Sequence, residues 1–221
     1  MRHYLKFAAW APVVLLVGCA DNAAPTKPAA SAGPKLEPAA TVAAATEADT
    51  PKAVDKAPAG TLAITPTNSK IAWVGTKPEG KHDGGFAKFS GYIEKGASGL
   101  AGGKIVVDID VESLTSDNPK LTGHLKSPDF FDARTHPKAS FKSKKIEAAK
   151  GADATHTVTG ELTLHGVTKE ISFPAKVTES ADGVKLESKF TIDRTEFGMT
   201  YGPGKVDNPV TIMVSVDAKK A

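Results

Sequence analysis

The sequence predicts an all-β domain of about eight antiparallel strands and one short helix over residues 61–221, preceded by a disordered linker. Apolar and polar residues alternate with a period of two through most of this region, which is typical of strands with one buried face. Pairs of turn-forming residues separate the alternating segments, and such short connections favour antiparallel pairing of sequence neighbours. Strands of this kind can close into a barrel or stack as a sandwich, and periodicity does not separate the two.

Residues 1–18 have the pattern of a bacterial lipoprotein signal peptide. Basic residues precede an apolar run over 7–17, which is shorter than the roughly 20 residues that a membrane-spanning helix needs. Residues 16–19, Leu-Val-Gly-Cys, resemble a lipobox and include the only cysteine of the chain. In such precursors the thiol receives a diacylglycerol, the preceding peptide is removed and the new N-terminus is acylated, for example with palmitate. Cys19 is therefore the expected lipid attachment site, and a buried free cysteine is the alternative.

Lipidation at Cys19 implies a periplasmic location on a bacterial membrane. Two or more acyl chains anchor a protein stably where one does not, and Ala20 after the cysteine favours the outer membrane. Residues 19–60 are expected to form the linker, because 20–60 contains fifteen alanines and six prolines but no aromatic residue. Such a segment buries too little apolar area to offset its ordering entropy. We expect a tether with an r.m.s. span of about 35 Å; a second small domain is the alternative.

The strands of the domain follow in order along the chain. In the clearest segment, 104–111, four aliphatic residues share one face and three charged residues lie on the other. The predicted strands are 69–75, 86–94, 104–111, 138–147, 155–164, 169–178, 184–193 and 209–217. The predicted turns, whose residues tolerate positive φ, are Gly84-Gly85, Gly102-Gly103, His165-Gly166 and Asp182-Gly183.

One helix is predicted over 117–126. Asp117 is the expected N-cap, and Pro119 suits the first turn because its missing N–H has no partner there. Two leucines spaced i, i+4 give the helix an apolar face. The helix and the two phenylalanines that follow it are expected to form a lid, with Leu121, Leu125, Phe130 and Phe131 as its apolar residues.

Composition and motifs exclude several classes of function. A formal net charge of +3 without a basic block gives no electrostatic support for nucleic-acid binding. A single cysteine excludes a disulfide framework and a thiolate-rich metal site. The chain has no His-Glu-x-x-His, Gly-x-Ser-x-Gly or Ser-x-x-Lys motif, and its histidines lack metal-ligand spacing. The sequence therefore predicts no catalytic residue, no metal site and no cofactor.

Six stretches of the chain resemble the YceI family: 86–93 (FAKFSGYI), 108–114 (DIDVESL), 124–132 (HLKSPDFFD), 136–143 (HPKASFKS), 158–169 (VTGELTLHGVTK) and 193–198 (DRTEFG). Together they cover nearly all of 62–218 in the order of the family. The resemblance implies an extended, lipocalin-like antiparallel barrel, in which some members hold a polyisoprenoid chain in an elongated apolar cavity. The chain departs from many relatives at its first strand, where Thr65, Asn68 and Ser69 replace an Asp-x-x-His-Ser element. This departure bears on ligand identity and entry more than on fold.

The resemblance implies a binding protein rather than an enzyme. Burial of a five-carbon prenyl unit contributes about 4 kcal/mol, so a few units offset an association cost of about 4–15 kcal/mol. A lipid chain that moves from a bilayer into an apolar cavity gains little free energy. The expected role is therefore to sequester or carry a polyisoprenoid or isoprenoid-quinone chain through water. The expected partners are this lipid and the membrane, and a homodimer stays open. The expected ligand contacts are the lid residues and the apolar strand residues Trp73, Phe89, Ile109, Phe141, Leu162, Phe173 and Phe190.

Two alternatives remain open at this point. The first is a stress-related interaction protein without a ligand, because small barrels are often filled by their own side chains. The second is an enzyme whose His and Asp residues converge only in the fold. A smaller interpretation concerns Arg194, which we expect to pair with the adjacent Asp193 rather than with a lipid headgroup.

Overall fold

The computed structural model describes residues 57–151 and 153–220. The predicted signal peptide, the lipid attachment at Cys19 and nearly all of the predicted linker lie outside these residues, so these expectations stay predictions. Within the described residues, no helix has both the length and the apolar character required to cross a bilayer.

The described residues form eleven strands and one α-helix. The strands are β1 Leu62–Ile64, β2 Ser69–Lys77, β3 Gly80–Phe86, β4 Phe89–Gly96, β5 Gly99–Asp110, β6 Leu114–Ser116, β7 Lys138–Ala148, β8 His156–Leu164, β9 Val167–Glu179, β10 Gly183–Asp193 and β11 Pro209–Lys219. Helix α1, Pro119–Leu125, lies between β6 and β7, and short 3₁₀ turns occupy Val111–Ser113 and Arg194–Phe197.

All strands belong to one antiparallel sheet with the order β1-β4-β5-β7-β8-β9-β10-β11-β2-β3-β6. The sheet curls like a barrel, because inward-facing residues from β1, β5, β8 and β11 border the same internal space. The predicted all-β class and antiparallel barrel architecture are therefore confirmed. The number of strands differs, since the structure has eleven among the described residues rather than about eight.

The strands that the sequence pattern missed are short or rich in glycine. β1 and β6 have three residues each, too few for a period of two to show. The predicted turn at Gly84-Gly85 is wrong, because both residues lie inside β3. Their small size serves packing: a Cβ on Gly84 would lie 2.5 Å from the ring of Trp73 on the neighbouring strand.

Of two other predicted turns, one joins two strands and the other lies inside a strand. His165-Gly166 does join two strands, β8 and β9, and both residues have positive φ, at 51° and 74°. This is the backbone geometry of a two-residue hairpin turn. Gly102-Gly103 instead lies inside β5, where the β4–β5 pairing shifts register beside Gly96.

Helix α1 is shorter than the predicted 117–126, and its N-cap is Asn118 rather than Asp117. The Asn118 side-chain oxygen accepts hydrogen bonds from the backbone N–H groups of Lys120 and Leu121 at 2.9 and 3.3 Å. Asp117 is diverted to a neighbouring strand, where its carboxylate lies 3.0 Å from His82. The carboxylate of Asp117 and the amide of Asn118 are both suitable N-caps for the helix. Asn118 takes this role, and Asp117 contacts His82 instead.

Candidate functional site

An apolar cavity with a volume of ≈ 200 Å³ lies on the concave face of the curled sheet. Along β11 it extends from Val210 to Val216, a distance of about 20 Å at the usual rise per residue. Inward-facing aliphatic residues such as Val107 and Ile212 are only half-buried although they pack against the core. They remain accessible because they border empty space. The barrel is therefore not filled by its own side chains at this place.

Most of the residues that the sequence predicted as ligand contacts line this cavity. Phe89 and Leu121 are the exceptions: Phe89 is buried in the main core, and Leu121 packs against a smaller cluster under the lid. The role of every one of these residues in ligand contact stays a prediction. The residues of the predicted set that border the cavity are Trp73, Ile109, Leu125, Phe130, Phe131, Phe141, Leu162, Phe173 and Phe190.

The sequence analysis also missed part of the wall. Val210, Ile212 and Val214 lie on the inward face of β11 and line the cavity, and the period-two pattern of 209–217 was a sufficient signal for them. Ile64 lies on three-residue β1, and Arg194 lies in a 3₁₀ turn. Neither of these two positions had a periodic signal.

Three aromatic rings form a row on one side of the cavity. Phe173 and Phe190 stack with their ring centroids 4.3 Å apart and an interplanar angle of 9°, and Phe141 packs against Phe173 at 5.4 Å. Gly160 makes room for this row, because a Cβ there would lie 2.7 Å from the tip of Phe141. The row offers a flat apolar surface to an unsaturated hydrocarbon chain.

Helix α1 and the residues after it border the cavity through Leu125, Phe130 and Phe131, and their role as a lid stays a prediction. Leu125 and Phe130 are buried in a cluster with Trp73 and Leu114. Phe131 meets the ring of Phe86 edge-on at 6.1 Å. The indole Nε1 of Trp73 has no hydrogen-bond partner among the described residues and is enclosed by protein, so the ring presents carbon atoms to the cavity.

Arg194 ties the loop 199–207 to the wall of the cavity. The residue is 3% exposed, and its guanidinium donates to the backbone carbonyls of Met199, Tyr201, Val206 and Asp207. Burial lowers the pKa of the guanidinium, and the nearby carboxylates of Asp193 and Asp207 oppose that shift.

The expected pairing of Arg194 with Asp193 is wrong. Asp193 instead accepts hydrogen bonds from the backbone N–H and the hydroxyl of Thr195, which hold the pKa of the Asp193 carboxyl below its usual range. Asp193 acts as the N-cap of the 3₁₀ turn Arg194–Phe197, so its Oδ1 faces the backbone of that turn rather than the guanidinium.

The His and Asp residues form separate pairs rather than one cluster. His82 lies 3.0 Å from Asp117, and His124 lies 2.9 Å from Asp129. His165 lies 2.9 Å from the carbonyl oxygen of Phe197. Across 57–151 and 153–220, no group of three or more His, Cys, Asp or Glu side chains is arranged to hold a metal ion. The enzyme alternative therefore gains no support from this geometry.

Several known proteins and one family model are similar to this chain in sequence. The family model described as "YceI-like domain" matches residues 62–218. A UPF0312 protein of Pseudomonas putida is 31% identical over 145 residues, which cover 62% of this chain and 73% of the relative. A UPF0312 protein of Vibrio parahaemolyticus is 41% identical over 93 residues, which cover 42% of this chain and 48% of the relative.

Solved structures are similar in fold. BcnA of Burkholderia cenocepacia superposes with a TM-score of 0.63 at 27% identity, over 68% of this chain and 96% of BcnA. A polyisoprenoid binding domain from Saccharophagus degradans, implicated in plant cell wall breakdown, superposes with a TM-score of 0.57 at 17% identity, over 73% of this chain and 98% of that domain. The second likeness shows the fold alone. With its curled antiparallel sheet and a family match over residues 62–218, this chain belongs to the YceI-like domain family.

Proposed function

We propose that this protein binds a polyisoprenoid or isoprenoid-quinone chain in its cavity and sequesters or carries the chain through the periplasm. The observation that carries the proposal is the cavity itself, whose wall is apolar along about 20 Å. The fold shared with a polyisoprenoid binding domain supports the same ligand class.

The size of the cavity fits a short stretch of isoprenoid. One water-sized group needs about 10–15 Å³ of such volume, so the cavity holds on the order of 13–20 groups of that size. A methylene group is about as large as a water molecule, and a prenyl unit has five carbons. The cavity therefore has room for roughly three or four prenyl units. Burying them contributes about 12–16 kcal/mol, comparable with an association cost of about 4–15 kcal/mol. Binding from water is then favourable, and exchange with a bilayer is nearly balanced.

The direct test is extraction of the full chain, purified from bacterial membranes, with organic solvent, followed by mass spectrometry of the extract. We expect a prenyl lipid or an isoprenoid quinone at a near-equimolar ratio to protein. A purified protein that yields no such lipid, and that takes up neither polyprenol nor quinone when these are offered, would contradict the proposal.

The membrane anchor is the second part of the proposal. Lipidated Cys19 would hold the chain on the periplasmic face of a membrane, with the outer membrane favoured. We expect Cys19→Ser to move the protein from the membrane to the soluble fraction of disrupted bacteria, while the melting temperature of the domain stays unchanged. Fractionation with immunoblotting measures the first effect and calorimetry the second. A Cys19→Ser protein that still sediments with membranes would contradict the anchor.

A further inference from the structure

Two long strands in the middle of the sheet share few backbone pairs. β9 has 13 residues and β10 has 11, yet they pair only through Lys176–Glu179 and Val184–Glu187. β10 pairs with β11 along its whole length, and β9 pairs with β8 up to Ala175. Residues 167–175 of β9 and 188–193 of β10 thus lie side by side without a described backbone ladder. We call these two stretches the β9–β10 seam.

Pro174 explains why the ladder stops. The carbonyl of Ala175 accepts from the N–H of Thr155 on the β8 side, so the backbone groups of Pro174 point the opposite way, toward β10. Proline has no N–H to donate there. Its carbonyl oxygen accepts instead from the hydroxyl of Ser188, at 2.6 Å.

Side chains alone close the seam. On the cavity side, the stacked rings of Phe173 and Phe190 bridge from β9 to β10 at 4.3 Å, and both rings line the cavity. At the end away from Ser188, Lys169 lies 3.7 Å from Glu196 of the 3₁₀ turn that follows β10. The seam is therefore bounded at both ends by polar contacts and closed between them by one aromatic pair.

We propose that the β9–β10 seam is a lateral portal through which the apolar chain enters and leaves the cavity. This inference rests on the proposed function and adds the route to it. The two phenylalanines act as the gate: when their rings separate, the interior opens sideways, and the chain slips in along its length. Its polar end then never has to cross the apolar interior.

The difference in hydrogen bonding favours this route over one between two fully paired strands. Parting β10 from β11 would break a ladder that runs from Gly183 to Asp193, and parting β7 from β8 would break another that runs from Ser140 to Ala148. Opening the seam separates one pair of stacked rings, the Ser188 hydrogen bond and the exposed Lys169–Glu196 ion pair. Entry under the lid would instead displace Leu125 and Phe130, which are buried in their own cluster.

A cross-link across the seam tests the proposal. Continued from the pair Glu187–Lys176, the register places Pro174 beside Lys189, and all four side chains are exposed. We therefore design the full chain with Cys19→Ser, Pro174→Cys and Lys189→Cys, locked by oxidation or by a short bis-maleimide. The matched control carries Cys19→Ser, Lys176→Cys and Glu187→Cys, which staples the section that is already paired.

The readout is stopped-flow quenching of tryptophan fluorescence by menaquinone-4 delivered from phosphatidylcholine vesicles. We expect the locked seam to slow uptake and release by about tenfold or more, reversibly with reductant for the disulfide, and the control staple to leave both rates unchanged. A locked seam with the rates of the open protein would overturn the portal. Absence of quenching at equilibrium in the open protein would instead overturn the proposed function, and the portal with it.

A second variant tests the gate without a cross-link. We expect Phe190→Ala to speed both uptake and release, because it removes half of the closing stack. Phe141→Ala is the matched control, since Phe141 lines the cavity and packs against Phe173 but lies on β7 and does not bridge β9 and β10; it should speed release only. If Phe190→Ala behaved like Phe141→Ala, the stack would be a binding surface and not a gate.

Discussion

Val107→Trp is expected to abolish binding of an isoprenoid chain while the domain stays folded. Val107 lies on β5, faces the cavity and is half-buried because it borders empty space. An indole in that space displaces at least one prenyl unit of ligand, which is worth about 4 kcal/mol, or about three orders of magnitude in Kd. Isothermal titration with menaquinone-4 measures the loss.

The matched control for this variant is Lys142→Trp. Lys142 pairs with β5 but its side chain is exposed on the outer face of the sheet, so the same indole there should leave the Kd unchanged. Should Val107→Trp fail to fold, Leu162→Trp places the indole on another half-buried part of the wall. Undiminished affinity in a folded, cavity-filled variant would mean that the ligand binds elsewhere.

Arg194→Ala is expected to produce the largest loss of stability. The guanidinium donates to four backbone carbonyls, those of Met199, Tyr201, Val206 and Asp207. Its removal leaves buried acceptors unpaired and frees the loop from the barrel. We expect the free energy of unfolding to fall by about 3–5 kcal/mol, which lowers Tm by roughly 10 °C for a domain of this size. Denaturant titration and calorimetry measure these values.

Two further variants control this result. Arg194→Lys should recover only part of the stability, because an ammonium lacks the planar fork that reaches several carbonyls at once. Arg134→Ala should change the free energy of unfolding by less than about 0.5 kcal/mol, since Arg134 is exposed. An Arg194→Ala protein as stable as Arg134→Ala would show that the loop holds its position without the guanidinium.

The sequence predicted strands well where the alternating pattern was long. Segment 184–193 became β10 with one added residue, and 155–164 became β8 with one removed. Period two identifies a strand and its buried face but not its partner or the length of the pairing. For this reason the seam between β9 and β10 was not predicted, although Pro174 within a strand was a usable signal.

The candidate site was predicted in outline for the same reason. Phe141, Phe173 and Phe190 lie on inward faces that alternation defines, and they meet in one row. Phe89 lies on an inward face as well, opposite Ile109, but the surrounding core covers it. Whether an inward residue borders a void depends on how all the strands curl, and that information is not local in sequence.

The most direct measurement of the central claim is a crystal structure of the protein with menaquinone-4. The proposed function predicts continuous density for the prenyl chain inside the barrel, along the wall from Trp73 to Val216 and against the row of phenylalanines. An interior that stays empty, or that collapses to exclude the lipid at saturating concentration, would contradict the claim that this barrel encloses an isoprenoid chain.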